Sequence, residues 1–448
     1  MEPSLSIRQI IKREGNLVPY DRDRISTAIF RALASGERGD RALAESLGRD
    51  VESALVKNYG ANATPSVEEI QDIVEQTLME KGQAQTARAY IIYRSQRAQS
   101  RAARAYAFEV TDNIPYKKIY EVLCWNIDHA CHSIEDLNAI MAQGRFARLV
   151  QECDRRYEEE ISHCAAQILE RVGDVRLVIV AGPSSSGKTT TTIKLSECLA
   201  RAGLQFQALA MDNYFFDLER HPKDEFGDYD YEAPASLDLD LINEHLVRLL
   251  AGETIKTPHY DFKTGKRTLN VHAMHLEKNH LLLLDSLHGL YDGMTRRIGT
   301  SQKFKVYVET LGQLHSENGP FMRWADNRLM RRMIRDSWHR NSQPETTLTH
   351  WHYVRRSELQ NIIPFIKAAD FMVNSALPFE IPILKHLVFR YFPEALNRYR
   401  DDPSRQDAYI RAKRVYDFLL PLTAMADDSC VPADSLLREF IGGSRYTY

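Results

Sequence analysis

The 448-residue chain has six cysteines, Cys124, Cys131, Cys153, Cys164, Cys198 and Cys430, and no Cys-x-x-Cys pair. That spacing excludes both a disulfide framework and a cysteine zinc site, and it fits a reducing cytoplasm. No apolar run approaches the roughly 20 residues that a membrane span needs. The opening residues Met1 to Ile7 lack a basic and then apolar signal region, so a soluble, unprocessed chain with no membrane partner is expected. A formal charge of −3 offers nucleic acid no general attraction, and no nucleic-acid partner is expected. Repeats and low-complexity tracts are also lacking. What is left is a globular composition too long for one core, so two or three domains are expected.

Residues 5 to 98 read as a small, mostly helical unit. Ile10 to Tyr20 suggests two short strands turning at Gly15-Asn16. Ser66 and Glu69 have capping-box spacing, ahead of Val67, Ile70, Val74 and Leu78 on one helical face, with Gly82 as the stop. Residues 99 to 170 look helical and carry no chemical motif, so they are expected to be a connector. From 171 to 448 strands and helices alternate, which predicts an α/β fold, a parallel sheet flanked by helices, with a helical carboxyl-terminal extension. The strand candidates are Leu177–Val180, Phe206–Met211, Leu281–Leu284, Phe304–Val308 and Phe371–Val373.

The first of those strands runs into Gly182-Pro183-Ser184-Ser185-Ser186-Gly187-Lys188-Thr189, followed by a helix-compatible segment. Glycines let a backbone wrap an anion, and the amides of a helix N-terminus point at it. Gly182, Ser184, Ser185, Ser186, Gly187, Lys188, Thr189 and Thr190 are therefore the candidate residues for binding a nucleoside triphosphate. Lys188 would reach the terminal phosphates, and the Thr189 hydroxyl would sit on Mg²⁺.

Asp212 and Asp285 both stand at expected strand ends, the edge at which parallel sheets bind ligands. Asp212 could accept the proton of a hydroxyl attacking the γ-phosphate, and Asp285 could hold Mg²⁺ directly or through water. Arg328, Arg332 and Arg335 share one helical face, opposite Leu329, Met330, Met333 and Ile334, and Arg340 follows shortly. These arginines could stabilise the charge that spreads in phosphoryl transfer. Tyr229–Pro234 and Pro258–Phe262 mix aromatic rings with hydrogen-bonding groups, which suits a ribose and a base or simply a polar aromatic loop.

Across residues 176 to 378 these segments resemble the uridine kinase and phosphoribulokinase branch of phosphate-loop kinases. The resemblance implies that Asp212 is the base on a nucleoside 5′-hydroxyl, that Asp230 binds ribose and that Tyr260 lines the base pocket. It also implies that Arg332 lies near substrate, with Arg335 and Arg340 on the ATP phosphates. Where the family usually has Glu-Gly, this chain has Asp285-Ser286, shorter by a methylene, which favours a water-mediated metal contact. A bacterial subgroup of longer nucleoside kinase-like proteins is similar through Asn374–Leu377 and Leu437–Ser444.

The amino-terminal unit resembles an ATP-cone, a regulatory nucleotide-binding domain, through Ile11–Gly15, Val18–Asp21, Arg24-Ile25, Val67–Gln71 and Tyr90–Arg94. Lys12, Arg13 and Arg24 would supply cations to an ATP or dATP effector. Arg24 stands where the family often has Lys, keeping the charge and changing the donor geometry. Together these readings predict an ATP- and Mg²⁺-dependent kinase of a nucleoside, uridine or cytidine first, under ATP-cone control and assembled as a homo-oligomer. Two alternatives stay open: a kinase of another small hydroxyl metabolite, such as a sugar phosphate or a pantothenate-like molecule, and a nucleotide-sensing regulator without turnover.

Overall fold

A computed structural model describes residues 7–12, 17–34, 39–60, 63–107, 113–222, 233–261, 264–316, 319–339 and 343–447. The chain divides into two units, Met1–Thr111 with Leu396–Tyr409, and Asp112–Ala395 with Ile410–Tyr448.

In the smaller unit, β1 (Gln9–Ile11) pairs antiparallel with β2 (Leu17–Pro19). Four helices follow: α1 (Arg22–Ala34), α2 (Arg41–Tyr59), α3 (Val67–Glu80) and α4 (Ala84–Ala107). The expected capping box starts α3, since the Glu69 amide donates to Ser66 Oγ at 3.2 Å and the Ser66 amide to Glu69 Oε2 at 2.7 Å. Satisfying these otherwise orphaned donors is worth about 1 kcal/mol. Ile70, Val74 and Leu78 then turn inward against Phe30, Leu47 and Leu55. The late segment 396–409 is tied in through Asp23, which takes Arg41 Nη2 at 2.7 Å and the Tyr409 hydroxyl at 3.4 Å.

The larger unit opens with α5 (Tyr116–Asp128), α6 (Ile134–Ala142) and α7 (Phe146–Glu170). This stretch, expected as a connector, packs within the unit. The hydroxyls of Tyr157 and Thr191 are 2.7 Å apart, and Glu160 Oε2 accepts the Asn374 amide at 2.8 Å. Then come β3 (Leu177–Ala181), α8 (Lys188–Arg201), β4 (Gln205–Ala210), α9 (Leu239–Leu250), β5 (Ile255–Asp261), β6 (Lys266–Met274) and β7 (His280–Ser286). β8 (Lys303–Glu309), α10 (Trp324–His339), α11 (Pro344–Asn361) and β9 (Phe371–Asn374) follow. The chain continues as α12 (Glu380–Val388), α13 (Tyr391–Tyr399), α14 (Gln406–Leu419) and α15 (Arg438–Ile441).

All five expected strands form one parallel sheet, ordered β4-β7-β3-β8-β9. The central strand β3 is buried along its whole length, as a strand covered on both faces must be, which is why it reads as an unbroken apolar run. β5 and β6 form a separate antiparallel hairpin, so Pro258–Asp261 lies on a strand rather than a loop. Among the described residues no helix is long and apolar enough to cross a membrane. All six cysteines are free.

Candidate active site

β3 ends at Ala181, and the chain wraps through Gly182–Gly187 before entering α8. A side chain at Gly182 would bring a Cβ within 2.2 Å of the Val308 carbonyl oxygen on the neighbouring strand. Gly187 caps α8 at φ +87°, and a Cβ there would meet Leu436 Cδ1 at 2.7 Å. Only glycine lets the loop close this tightly. Within it, Ser185 Oγ and Ser186 Oγ are buried without a hydrogen-bond partner among the described residues. Unpaired buried hydroxyls carry a desolvation cost that an anionic ligand would relieve.

Helix α10 braces the loop from one side. Arg328 Nη1 donates to the Ser184 carbonyl at 3.2 Å, Arg331 Nη1 to the Ser185 carbonyl at 3.4 Å, and Arg332 Nη1 to Ser184 Oγ at 3.1 Å. The helix keeps its expected apolar back, with Leu329, Met330, Met333 and Ile334 all buried. Arg328 departs from the expected phosphate-facing row. It is 1% exposed and enclosed by Glu309, Nε to Oε1 at 2.8 Å, and by Glu358, Nη2 to Oε2 at 3.0 Å. Burial alone would raise the Glu358 carboxyl, and the Arg328 and Arg355 guanidiniums outweigh it and hold Glu358 below the ordinary carboxylate range. Arg332 and Arg335 stay on the partly exposed side, each bonded to Asp336, at 3.1 and 3.3 Å.

Lys188, half-buried at the start of α8, donates to the Pro183 carbonyl at 3.2 Å. Burial lowers its pKa, with Asp285 and Glu439 opposing that shift. Asp285 lies near the end of β7, in register with Val180 of β3 and Ala210 of β4, so it stands between the loop strand and the strand leading to Asp212. Burial pushes the Asp285 carboxyl up to about 6 against the pull of Lys188, and Glu439 and Asp212 push it the same way. Asp212 sits exposed in the short turn Met211–Tyr214 just beyond β4. The parallel topology thus places Asp285 at one sheet edge within electrostatic range of both Lys188 and Asp212.

Tyr260, on β5, is 2% exposed and packs with Phe215 and His221 at ring separations of 5.5 and 6.3 Å. Its amide donates to Asn213 Oδ1 at 3.2 Å, which ties the hairpin to the Asp212 turn. A small cleft opens beyond the carboxyl ends of β8 and β9, lined by Asn126, Gln313, Trp324, Asn327 and Leu377 among others. Of the remaining expected site residues, Arg13, Asp230 and Arg340 lie outside the described residues. In the smaller unit Lys12 is exposed, and Arg24 is exposed and paired with Asp21 at 3.4 Å.

Two residues at the loop had no role assigned from the sequence, although both lie in segments that carry the resemblance. Arg331 stands within Arg328–Asp336 on α10, and Glu439 within Leu437–Ser444. Glu439, on α15, accepts both the Thr190 amide and the Thr190 hydroxyl, at 3.1 and 2.6 Å, across 249 residues of sequence. No local pattern announces such a contact.

Comparison with known proteins matches residues 177–378 to a family model described as Phosphoribulokinase / Uridine kinase family, and residues 8–99 to one described as ATP cone domain. A uridine kinase of Deinococcus deserti is 31% identical over 204 residues, which are 45% of this chain and 89% of that protein. A uridine kinase of Oceanobacillus iheyensis is 30% identical over 195 residues, 43% of this chain and 83% of the relative. Among solved structures, a possible uridine kinase from Bacillus stearothermophilus aligns with 48% of this chain and 98% of its own, at 17% identity and a TM-score of 0.33.

Proposed function

This chain belongs to the phosphoribulokinase and uridine kinase family and carries an ATP-cone domain, and we propose that its larger unit transfers the γ-phosphate of ATP to the 5′-hydroxyl of a nucleoside, uridine or cytidine. The smaller unit would sense ATP or dATP and set the rate. The observation that carries the proposal is the grouping of Lys188, Asp285 and Asp212 at the carboxyl edge of one parallel sheet, beside a glycine-gated loop with unpaired buried hydroxyls.

In this reading the loop amides and Lys188 bind and orient the triphosphate, while Arg332 and Arg335 approach it from α10. Asp212, exposed on its turn, takes the proton of the attacking hydroxyl. Positioning and charge neutralisation supply most of the rate enhancement in phosphoryl transfer. Thr189 and Asp285 would hold Mg²⁺, and their oxygen donors fit an ion that keeps several waters and binds through one or two protein ligands plus phosphate. When bound, Mg²⁺ would offset the negative charge of the phosphates.

On the acceptor side, the family resemblance assigns Asp230 to ribose, Tyr260 to the base pocket and Arg340 to the ATP phosphates. Lys12, Arg13 and Arg24 would hold the effector in the smaller unit. A cytoplasmic homo-oligomer fits the same reading. The names of the relatives support uridine as the first acceptor to try.

Replacing Lys188 by Ala and Asp212 by Asn tests the machinery. Each variant should stay folded and lose turnover by about a hundredfold to a thousandfold or more, because both act at the transferring group. Full activity in either would sink the assignment. A regulator without turnover is the second reading, favoured by Asp285-Ser286 standing where the family usually has Glu-Gly.

A further inference from the structure

The carboxyl-terminal segment reaches the phosphate-binding loop and places a carboxylate on it. Glu439 is 5% exposed, and its Oε2 accepts the Thr190 amide at 3.1 Å and the Thr190 hydroxyl at 2.6 Å. Thr190 is the third residue of α8. Its amide is therefore one of the four N-terminal donors that find no acceptor inside a helix, at the end where the helix dipole favours negative charge. In a loop of this type those donors serve nucleotide phosphates.

Three further contacts hold the segment there. Leu436 packs against Gly187, the Phe440 ring lies 4.8 Å from the Arg331 guanidinium, and the Ser435 hydroxyl donates to Asp154 at 2.8 Å. The charge on Glu439 is also felt by Lys188 and Asp285. A phosphate entering the loop thus meets a like charge that already engages Thr190.

We propose that Glu439 is an affinity-setting residue of the nucleotide site: a tethered anion that competes with the nucleotide phosphates for the N-terminus of α8 and is displaced when MgATP binds. The proposal rests on reading the loop as a triphosphate site. It makes the carboxyl-terminal segment part of the nucleotide switch. It also separates two roles that the same contact could serve, since a merely structural cap would strengthen nucleotide binding by stiffening α8, whereas a competitor weakens it.

The test is calorimetric titration of full-length wild type, Glu439→Gln and Lys188→Ala with MgATP and with its non-hydrolysable analogue. Hydrogen exchange over residues 434–442 of the wild type is followed alongside, so that the result does not hang on the variant's folding. Glu439→Gln keeps the shape and removes the charge, and it should bind MgATP about tenfold more tightly, the worth of one charge-assisted hydrogen bond. In the wild type, MgATP should speed exchange in the 434–442 segment as Glu439 leaves Thr190. Equal or weaker binding by Glu439→Gln, or slowed exchange in that segment, overturns the competitor and leaves the loop assignment standing. If wild type and Glu439→Gln both fail to bind MgATP, the reading of the loop itself falls and the competitor falls with it.

Discussion

Arg331 and Glu380 form an ion pair with no side-chain exposure on either partner, Nε to Oε2 at 2.7 Å and Nη2 to Oε1 at 2.9 Å. The same guanidinium donates to the Ser185 carbonyl at 3.4 Å and the Ser375 carbonyl at 2.6 Å, so it ties the phosphate-binding loop to the end of β9. Removing one partner of a buried pair strands the other charge, at a cost of roughly 3–5 kcal/mol, whereas replacing both by apolar residues costs far less.

Glu380→Gln should therefore lower the stability of the larger unit by about 3 kcal/mol, but the double change Arg331→Met, Glu380→Leu should not recover it, because it also takes these partners from the Ser375 carbonyl, the Asn327 side-chain amide and the Leu377 amide. All four tryptophans, Trp125, Trp324, Trp338 and Trp351, lie in that unit, so urea unfolding followed by tryptophan fluorescence reports it. A single variant within about 0.5 kcal/mol of wild type, the range of an ordinary surface change, would contradict the role assigned to the pair.

Asp154 gives a pH signature. Burial raises its carboxyl from 3.8 to about 6, against the pull of Ser435 and Lys194, and its Oδ2 has no hydrogen-bond partner among the described residues. A raised folded pKa means that the native state holds a proton which the unfolded chain releases between about pH 4 and 6. The stability from this group is complete below the unfolded value and is lost as pH rises through about 6. Asp154→Asn should thus be more stable than wild type by about 2 kcal/mol at pH 8, with the gap shrinking towards zero at pH 4. Thermal melts at several pH values read this directly, and a gap that does not change with pH would refute it.

The ATP-cone reading requires two nucleotide sites per chain with distinct determinants. Calorimetry on the full chain should resolve two sites for ATP or dATP. Lys188→Ala should remove one and the combined change Lys12→Ala, Arg24→Ala should weaken the other at least tenfold, because each cation makes charge-assisted contacts to phosphate. One site per chain, unaffected by the second pair of changes, would remove the regulatory assignment.

The sheet was legible because buried parallel strands must be apolar along their length, as Leu177–Ala181 and Leu281–Leu284 are. The loop was legible because its constraints are local: glycines at tight positions and a lysine at a helix start. The β5–β6 hairpin was not read: Leu269, Val271 and Ala273 alternate with Asn270 and His272, but Lys266–Met274 is mostly exposed, so that alternation marks no buried face. Helix α10 misled in part. Spacing alone groups Arg328 with Arg332 and Arg335, but Glu309 and Glu358 converge on Arg328 from elsewhere in the chain and bury it. The contact of Glu439 with Thr190 spans 249 residues, so only the folded chain reveals it.

The most direct test follows label from γ-labelled ATP, with Mg²⁺, into a panel of acceptors: uridine, cytidine, purine nucleosides, pantothenate and sugar phosphates. The account predicts that uridine or cytidine becomes the labelled 5′-monophosphate at least tenfold faster than the non-nucleoside acceptors, and that Lys188→Ala abolishes the transfer. Lys188-dependent binding of MgATP with no labelled product from any acceptor would contradict it.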